Sequence, residues 1–294
     1  MTERRTAGIS ARTSRVGRHL PTSGGLENTL RLARDQELEA VQIFVSNPQG
    51  WAEAAPRPDA DFFIEGAREM GLYPIVVHAK YLINLASQLH EHRERSARVL
   101  ASELVAAGAI GAGGVVVHSG SDGGDGEEEG MARLVEGLKR ARDLAGSDAA
   151  EPVVENSVGA GTQLCSSFEG LARVAEGAGV RVCVDSAHAF VAGYDLSTPE
   201  GAATIGGELR AVVGDRVALV HLNDARNGLG SHRDGHARIG EGQVSEEAWR
   251  EFFGTVGGVP AVMETPYATP EVDAEQVCLL KRLAGGLPLR ARGV

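Results

Sequence analysis

Five histidines and four carboxylates stand where they could hold metal ions. His78 closes the run YPIVVH, His118 lies in GVVVHS, Glu155 in EPVVEN and Asp185 in RVCVDS, with His188 just beyond. His221 sits in VALVHLN, followed by Asn223 and Asp224, and Glu264 sits in PAVMET. Asp234 and His236 add a pair at i and i+2 within SHRDGHARIGEG. In an extended segment that spacing points both side chains the same way, so the pair could clamp one ion. Carboxylates gathered without compensation repel one another and raise each other's pKa values. Divalent cations remove the conflict. Mixed imidazole and carboxylate donors suit zinc, with manganese or iron as substitutes. One histidine or glutamate at a strand end is ordinarily structural; the joint pattern is what points to chemistry.

The elements that must position these groups read as alternating strands and helices. The candidate strands are RVGRHL (15–20), EAVQIFV (39–45), YPIVVH (73–78), GVVVHS (114–119), EPVVEN (151–156), RVCVDS (181–186), VALVHLN (217–223) and PAVMET (260–265). Most are continuous aliphatic runs, as expected of strands covered on both faces. Amphipathic stretches lie between them, such as GLENTLRLARD and MARLVEGLKRARDLAG. In ERSARVLASELVAAGAI, Val99, Leu100, Leu104 and Val105 are expected on one helical face. Eight strand–helix units predict an α/β fold, a single (β/α)8 barrel, over 15–288. In that fold the C-terminal ends of all the strands share one mouth, where active sites are built. An open doubly wound sheet would show the same alternation, but no GxGxxG follows the first strand. Residues 1–14 are expected to form a mobile arm and 289–294 a short tail.

Other polar features have bland expectations. His19, at the end of the first strand, is expected to orient a ligand or water. His90 and His92 should be solvated at a helix start, and His232 exposed in a loop. SDGGDGEEEG (121–130) reads as a surface loop whose glutamates suit the positive start of the next helix. The arginines Arg4, Arg5, Arg12, Arg15 and Arg18 read as a solvated arm able to touch phosphates.

Composition narrows the classes. The three cysteines, Cys165, Cys183 and Cys278, are scattered and form no CxxC, which predicts free thiols in a reducing compartment. No apolar run is long enough to span a bilayer and no secretory signal opens the chain, so a cytoplasmic protein is expected. The net charge of −11 argues against a general nucleic-acid binder. Bound metal ions can reverse the field at a site, so a phosphodiester substrate stays compatible with that charge.

Several strings together resemble the endonuclease IV family, the zinc-dependent apurinic/apyrimidinic endonucleases, from about Val16 to Glu264. They are HAKYLINLA (78–86), VDSAHAFVAGYDLSTPE (184–200), HLNDARNGLGSHRDGHARIGEG (221–242) and VMETP (262–266), supported by SGGL (23–26) and VENS (154–157). The resemblance implies three zinc ions per chain. His78, His118 and Glu155 would hold the first. Glu155 would bridge to a second held with Asp185, His221 and Glu264. His188, Asp234 and His236 would hold the third. Glu155, Glu264, Asp185 and His118 would form the catalytic core. The implied reaction is hydrolysis of the phosphodiester bond 5′ to an abasic site in duplex DNA, leaving a 3′-hydroxyl and a 5′-deoxyribose phosphate, with some cleaning of blocked 3′ ends. Tyr81 and Leu82 would enter the DNA, together with Gln49 from the loop VSNPQGW (45–51). That loop usually bears arginine in the family, where this chain has Gln49 and Gly50; glutamine can hydrogen-bond and wedge but lacks the charge and planar stacking of arginine. Gly235 likewise stands where the family often has arginine, and the family's D-T-C-H appears as Asp185-Ser186-Ala187-His188.

Two other functions fit parts of the pattern. A metal-dependent sugar isomerase or epimerase on a related barrel would use the same residue types around one or two ions. His188, Asp234 and His236 argue for a third ion and so for phosphodiester chemistry. A lesion-binding protein with weak turnover would fit the altered DNA loop, but binding alone does not require nine ligands. A monomer with no obligate protein partner is expected, since one barrel of this length can bury its own core.

Overall fold

The computed structural model describes residues 14–285. In chain order the elements are β1 (Val16–His19), α1 (Gly25–Asp35), β2 (Ala40–Ile43), α2 (Ala60–Met70), β3 (Ile75–His78), α3 (His90–Ala109), β4 (Gly114–His118), α4 (Glu127–Ala145), β5 (Glu151–Glu155) and α5 (Phe168–Ala178). Then come β6 (Arg181–Asp185), α6 (Ser186–Ala192), α7 (Pro199–Val212), a 3-10 turn (Gly214–Arg216), β7 (Val217–His221), β8 (Asp224–Ala225), β9 (His236–Ala237), α8 (Glu246–Val256), β10 (Ala261–Met263) and α9 (Pro270–Ala284). Eight parallel strands close in the order β1-β10-β7-β6-β5-β4-β3-β2, which is the expected (β/α)8 barrel. Two features were not anticipated: a second helix after β6, and the small antiparallel pair β8–β9 inserted after β7.

The aliphatic runs explain closure. Val76, Val116, Val153, Cys183, Leu219 and Val262 fill the barrel interior, and a second, larger set packs the outer face against the helices. Gly17 admits β2 closely, because a Cβ there would lie 2.2 Å from the Ala40 carbonyl oxygen. Side-chain caps start the helices that follow the loops: Ser167, Thr198, Ser245 and Thr269 each accept a backbone N–H in the first turn. Glu127, Glu128 and Glu129 open α4, as their charge suits.

Some expectations fail for physical reasons. On α3, Val99, Leu100 and Leu104 are buried but Val105 is 46% exposed. At 100° per residue Val105 lies well round the helix from Val99, so the four do not share a face. Arg18 is not a phosphate-touching arm residue. It is 1% exposed, paired with Asp273 at 2.8 Å, and its guanidinium lies 4.3 Å from the Tyr267 ring centroid. The period-2 pattern of β1 turns it to the outer face of the barrel with Val16, beneath α9, where Asp273 neutralises it. Arg15 is likewise engaged, donating to the Gly71 carbonyl oxygen. Arg4, Arg5 and Arg12, and the rest of the expected arm up to residue 13, lie outside the described residues, as does the expected tail. Ser14 is buried and accepts the Gly258 N–H. His92 is half-buried, with its ring edge-on to Trp51 at 5.2 Å.

Candidate metal centre

Parallel pairing sets the residues side by side at the mouth. Register places His118 opposite Glu155 across β4 and β5, and Asp185 opposite His221 across β6 and β7. His78 ends β3, and Glu264 directly follows β10. His188 is reached by a local device: the Asp185 carboxylate caps α6 by accepting the His188 N–H at 2.8 Å, which turns both side chains to the mouth.

Three donor groups result: His78, His118 and Glu155; Glu155, Asp185, His221 and Glu264; and Asp185, His188 and His236. Glu155 Oε2 lies 3.7 Å from His78 Nε2 and 3.5 Å from His118 Nε2, while its Oε1 lies 3.0 Å from His221 Nδ1. His221 Nδ1 is also 3.1 Å from Glu264 Oε2. Asp234 Oδ1 sits 3.5 Å from His188 Nε2 and 3.6 Å from His236 Nε2, and Asp185 Oδ2 is 3.5 Å from His236 Nε2. The structure therefore brings all nine residues named from the sequence into one continuous cluster. Asp185 stands between the second and third groups.

The donor atoms are presented as metal ligands would be. His78 Nδ1 faces the Ala79 carbonyl at 2.7 Å, His188 Nδ1 the Asn156 carbonyl at 3.0 Å, and His221 Nε2 the Gln42 amide oxygen at 2.8 Å. In each ring one nitrogen is committed to an oxygen, leaving the other turned toward the carboxylates, where a bound ion would replace the proton it carries. Glu155 Oε2 and His236 Nε2 are buried and have no hydrogen-bond partner among the described residues. Such groups are costly unless something satisfies them, and an ion at either position would do so. The donor set thus fits divalent cations.

Electrostatics carry the same signature. Burial disfavours the charged form of Glu155, yet His221 and its neighbouring histidines hold the carboxyl below its ordinary range. Burial likewise opposes ionisation of Glu264, but His221, His19 and His78 hold it well below. Burial would lower His188, but Asp185, Asp234 and Glu155 outweigh it and raise the imidazole to about 10. His78 goes the other way, to about 4, because burial dominates. Paired shifts of this kind mark a site that stores charge.

A supporting layer was only partly visible beforehand. Gln42, on β2, joins three groups: its amide oxygen faces His221, and its Nε2 donates to Glu264 Oε1 at 2.5 Å and to His19 Nδ1 at 3.0 Å. The signal for it is a lone polar residue inside the aliphatic run AVQIF. His19, expected to orient a ligand or water, meets Gln42 and lies 3.8 Å from Glu264 Oε1. Asn223 Nδ2 donates to Asp185 Oδ2 at 2.6 Å, and its Oδ1 accepts the Glu264 N–H at 2.8 Å. Asp224 is fully buried and accepts backbone N–H groups from Ala225, Gly240, Gly242, Gln243 and Val244, folding the loop behind Asp234 and His236. Gly242 lets that carboxylate approach, since a Cβ there would meet Asp224 Oδ1 at 2.4 Å. Ser186 donates to the Asn223 carbonyl at 2.8 Å and so ties β6 to β7.

A cavity of about 520 Å3 opens over the cluster, walled by Phe44, Tyr81, Arg226, Gly235 and Tyr267. Tyr81 is 56% exposed, with its ring 5.4 Å from that of His78 and 6.0 Å from that of His118. Leu82 beside it is half-buried. Gln49 is exposed on the neighbouring loop, its N–H held by Asn47 Oδ1 at 3.0 Å. His90 is exposed away from the cluster, and so is His232, whose Nδ1 meets the Val158 carbonyl.

Comparison with known proteins gives this arrangement a lineage. The xylose isomerase-like TIM barrel family matches residues 30–282. "Probable endonuclease 4" of Oleidesulfovibrio alaskensis is 40% identical over 278 residues, covering 92% of this chain and 95% of that one. The crystal structure of endonuclease IV from Thermus thermophilus superposes with a TM-score of 0.82 at 33% identity, covering 92% of this chain and 98% of that one. A D-tagatose 3-epimerase-like protein superposes with a TM-score of 0.70 at 18% identity, which shows a shared barrel only. With its barrel, its mouth cluster and these relatives, the chain belongs to the endonuclease IV family.

Proposed function

We propose that the chain is a zinc-dependent apurinic/apyrimidinic endonuclease, acting in the cytoplasm as a monomer. It hydrolyses the phosphodiester bond 5′ to abasic sites in duplex DNA and trims blocked 3′ ends. The observation that carries the proposal is the continuous run of three donor groups sharing Glu155 and Asp185 at the barrel mouth. His78, His118 and Glu155 would hold the first ion; Glu155, Asp185, His221 and Glu264 the second; His188, Asp234 and His236 the third. Bound there, zinc, with manganese or iron as substitutes, makes water nucleophilic near neutral pH and screens the charge of a reacting phosphodiester.

The chain's own residues set the geometry. Glu155 turns one oxygen to His78 and His118 and the other to His221, so it is the residue that the first two donor groups would share. Glu264 and Asp185 are held by the Asn223 amide, which keeps both carboxylates aimed inward. Asp234, the most exposed of the nine, faces the cavity where the substrate arrives. Access to that cavity requires the abasic nucleotide to leave the stack, and Tyr81, Leu82 and Gln49 stand on the rim to take its place. With a net charge of −11, affinity for DNA depends on the bound cations rather than on a basic surface.

The deciding experiment is incision of a duplex carrying one tetrahydrofuran abasic analogue, with metal content measured on the same sample. The analogue cannot undergo β-elimination, so incision must be hydrolytic. Cutting 5′ to the analogue with about three ions per chain supports the proposal. No incision by fully metal-loaded protein overturns it and directs the next assays to sugar isomerisation or epimerisation.

A further inference from the structure

Glu103 is a carboxylate with no place in the metal cluster. It lies on α3, is 0% exposed, and burial pushes its pKa up. A charged group in that position is costly unless its oxygens are engaged. They are, and by two different loops. Oε1 accepts the Ser46 hydroxyl at 2.8 Å, in the loop after β2. Oε2 accepts the Lys80 N–H at 3.1 Å, in the loop after β3.

The same two loops are laced to each other directly. Lys80 is 3% exposed, and its ammonium donates to the Asn47 carbonyl at 2.8 Å. The Tyr81 N–H donates to the Pro48 carbonyl at 3.3 Å. Further along the β2 loop, the Ala54 N–H donates to Ser102 Oγ at 2.9 Å, and the Trp51 ring packs against His92 and lies 4.5 Å under the Arg95 guanidinium. His92, Arg95 and Ser102, like Glu103, are on α3. Gln49 sits between them, at the exposed apex of a loop fixed on both sides.

We propose that Glu103 is a positioning residue: its buried carboxylate joins the β2 and β3 loops into one rigid rim that presents Gln49 and Tyr81–Leu82 to DNA as a preformed pair. This rests on the proposed action on abasic duplexes. Preformed rims bind without the cost of ordering flexible loops at the moment of contact. The effect therefore falls first on substrate binding; because the peptide that donates its N–H to Glu103 also turns its Ala79 carbonyl to His78 Nδ1, metal content is read on every variant.

The test uses the full, metal-loaded chain and three variants, Glu103→Ala, Glu103→Gln and Ser46→Ala. Amide hydrogen exchange is read first, without DNA. Glu103→Ala should speed exchange in residues 45–51 and 79–84 together. Glu103→Gln should stay near wild type, since its amide oxygen can accept from Lys80 and its NH2 can donate to the Ser46 hydroxyl. Ser46→Ala should speed exchange in 79–84 although the change is in the other loop. On the tetrahydrofuran duplex, Glu103→Ala should raise KM about tenfold with kcat and metal content unchanged, and Glu103→Gln should restore KM. Exchange unchanged in 79–84 for both Ser46→Ala and Glu103→Ala overturns the coupling; so does a fall in kcat at constant KM. If Glu103→Ala does not fold, Ser46→Ala and Glu103→Gln decide alone. If the wild type does not incise, the proposed function fails, while the exchange data still decide whether the rim is one unit.

Discussion

Gln42→Met separates support of the metal centre from simple space filling. Methionine keeps the length of the side chain but removes the oxygen facing His221 Nε2 and the amide donor to Glu264. His221 is 0% exposed, so its Nε2–H loses the acceptor it has among the described residues, at a cost of about 1–3 kcal/mol in the metal-free protein. The ring has an escape: it can move its proton to Nδ1 and donate to Glu155. That tautomer blocks the nitrogen facing Glu155 and Glu264. Loss of an outer partner of this kind typically weakens metal affinity about 10- to 100-fold, or about 1.4–2.7 kcal/mol. The assay is retention of zinc against a graded series of chelator concentrations, together with urea unfolding of the metal-free protein. One ion per chain should leave about one to two decades earlier in chelator than in wild type. Unchanged zinc retention with lowered metal-free stability would refute the reasoning and reduce Gln42 to packing.

Other changes follow from the same contacts. Gly242→Ala places a methyl 2.4 Å from Asp224 Oδ1 and 2.5 Å from the Ala225 carbonyl oxygen; it should cost about 1–3 kcal/mol in urea unfolding and loosen zinc held near His236. Arg18→Met strands the buried Asp273 carboxylate and should cost about 3–5 kcal/mol, whereas adding Asp273→Leu to it should recover most of the loss, as a double-mutant cycle by thermal unfolding would show. Chelation should abolish incision while far-UV circular dichroism keeps the barrel signal, and zinc should restore cutting; loss of the signal would mean that the ions hold the fold. Gln49→Arg should tighten binding to abasic duplex, measured by fluorescence anisotropy, with metal content unchanged.

Much of the architecture could be read from residue order because a parallel barrel strand is a short aliphatic run and its C-terminal end is a known place. Thus His78, His118 and Glu155 were found as strand ends, and Asp234 and His236 as neighbours two apart. What escaped is contact across long sequence separations. Gln42 meets His221 from 179 positions away, and no local pattern in β2 announces that partner. Glu103 sits in a helix whose periodicity marks the position as buried but gives no reason for a charge. Arg18 reads as part of a basic arm because its neighbours in sequence are basic, whereas its partner, Asp273, lies at the other end of the described chain. The β8–β9 pair escaped because two-residue strands have no period to detect.

The order in which the donors leave the ribosome has a consequence for assembly. The second donor group draws on β5, β6, β7 and the residue after β10, and β10 is the strand that seals the barrel against β1. Until Glu264 has been synthesised and β10 has slotted between β7 and β1, that group lacks a carboxylate and the mouth has an open seam. An ion held by that group would favour the sealed barrel over the open one. A chain ending before β10 would lack the Glu264 donor and leave the facing edges of β1 and β7 unpaired.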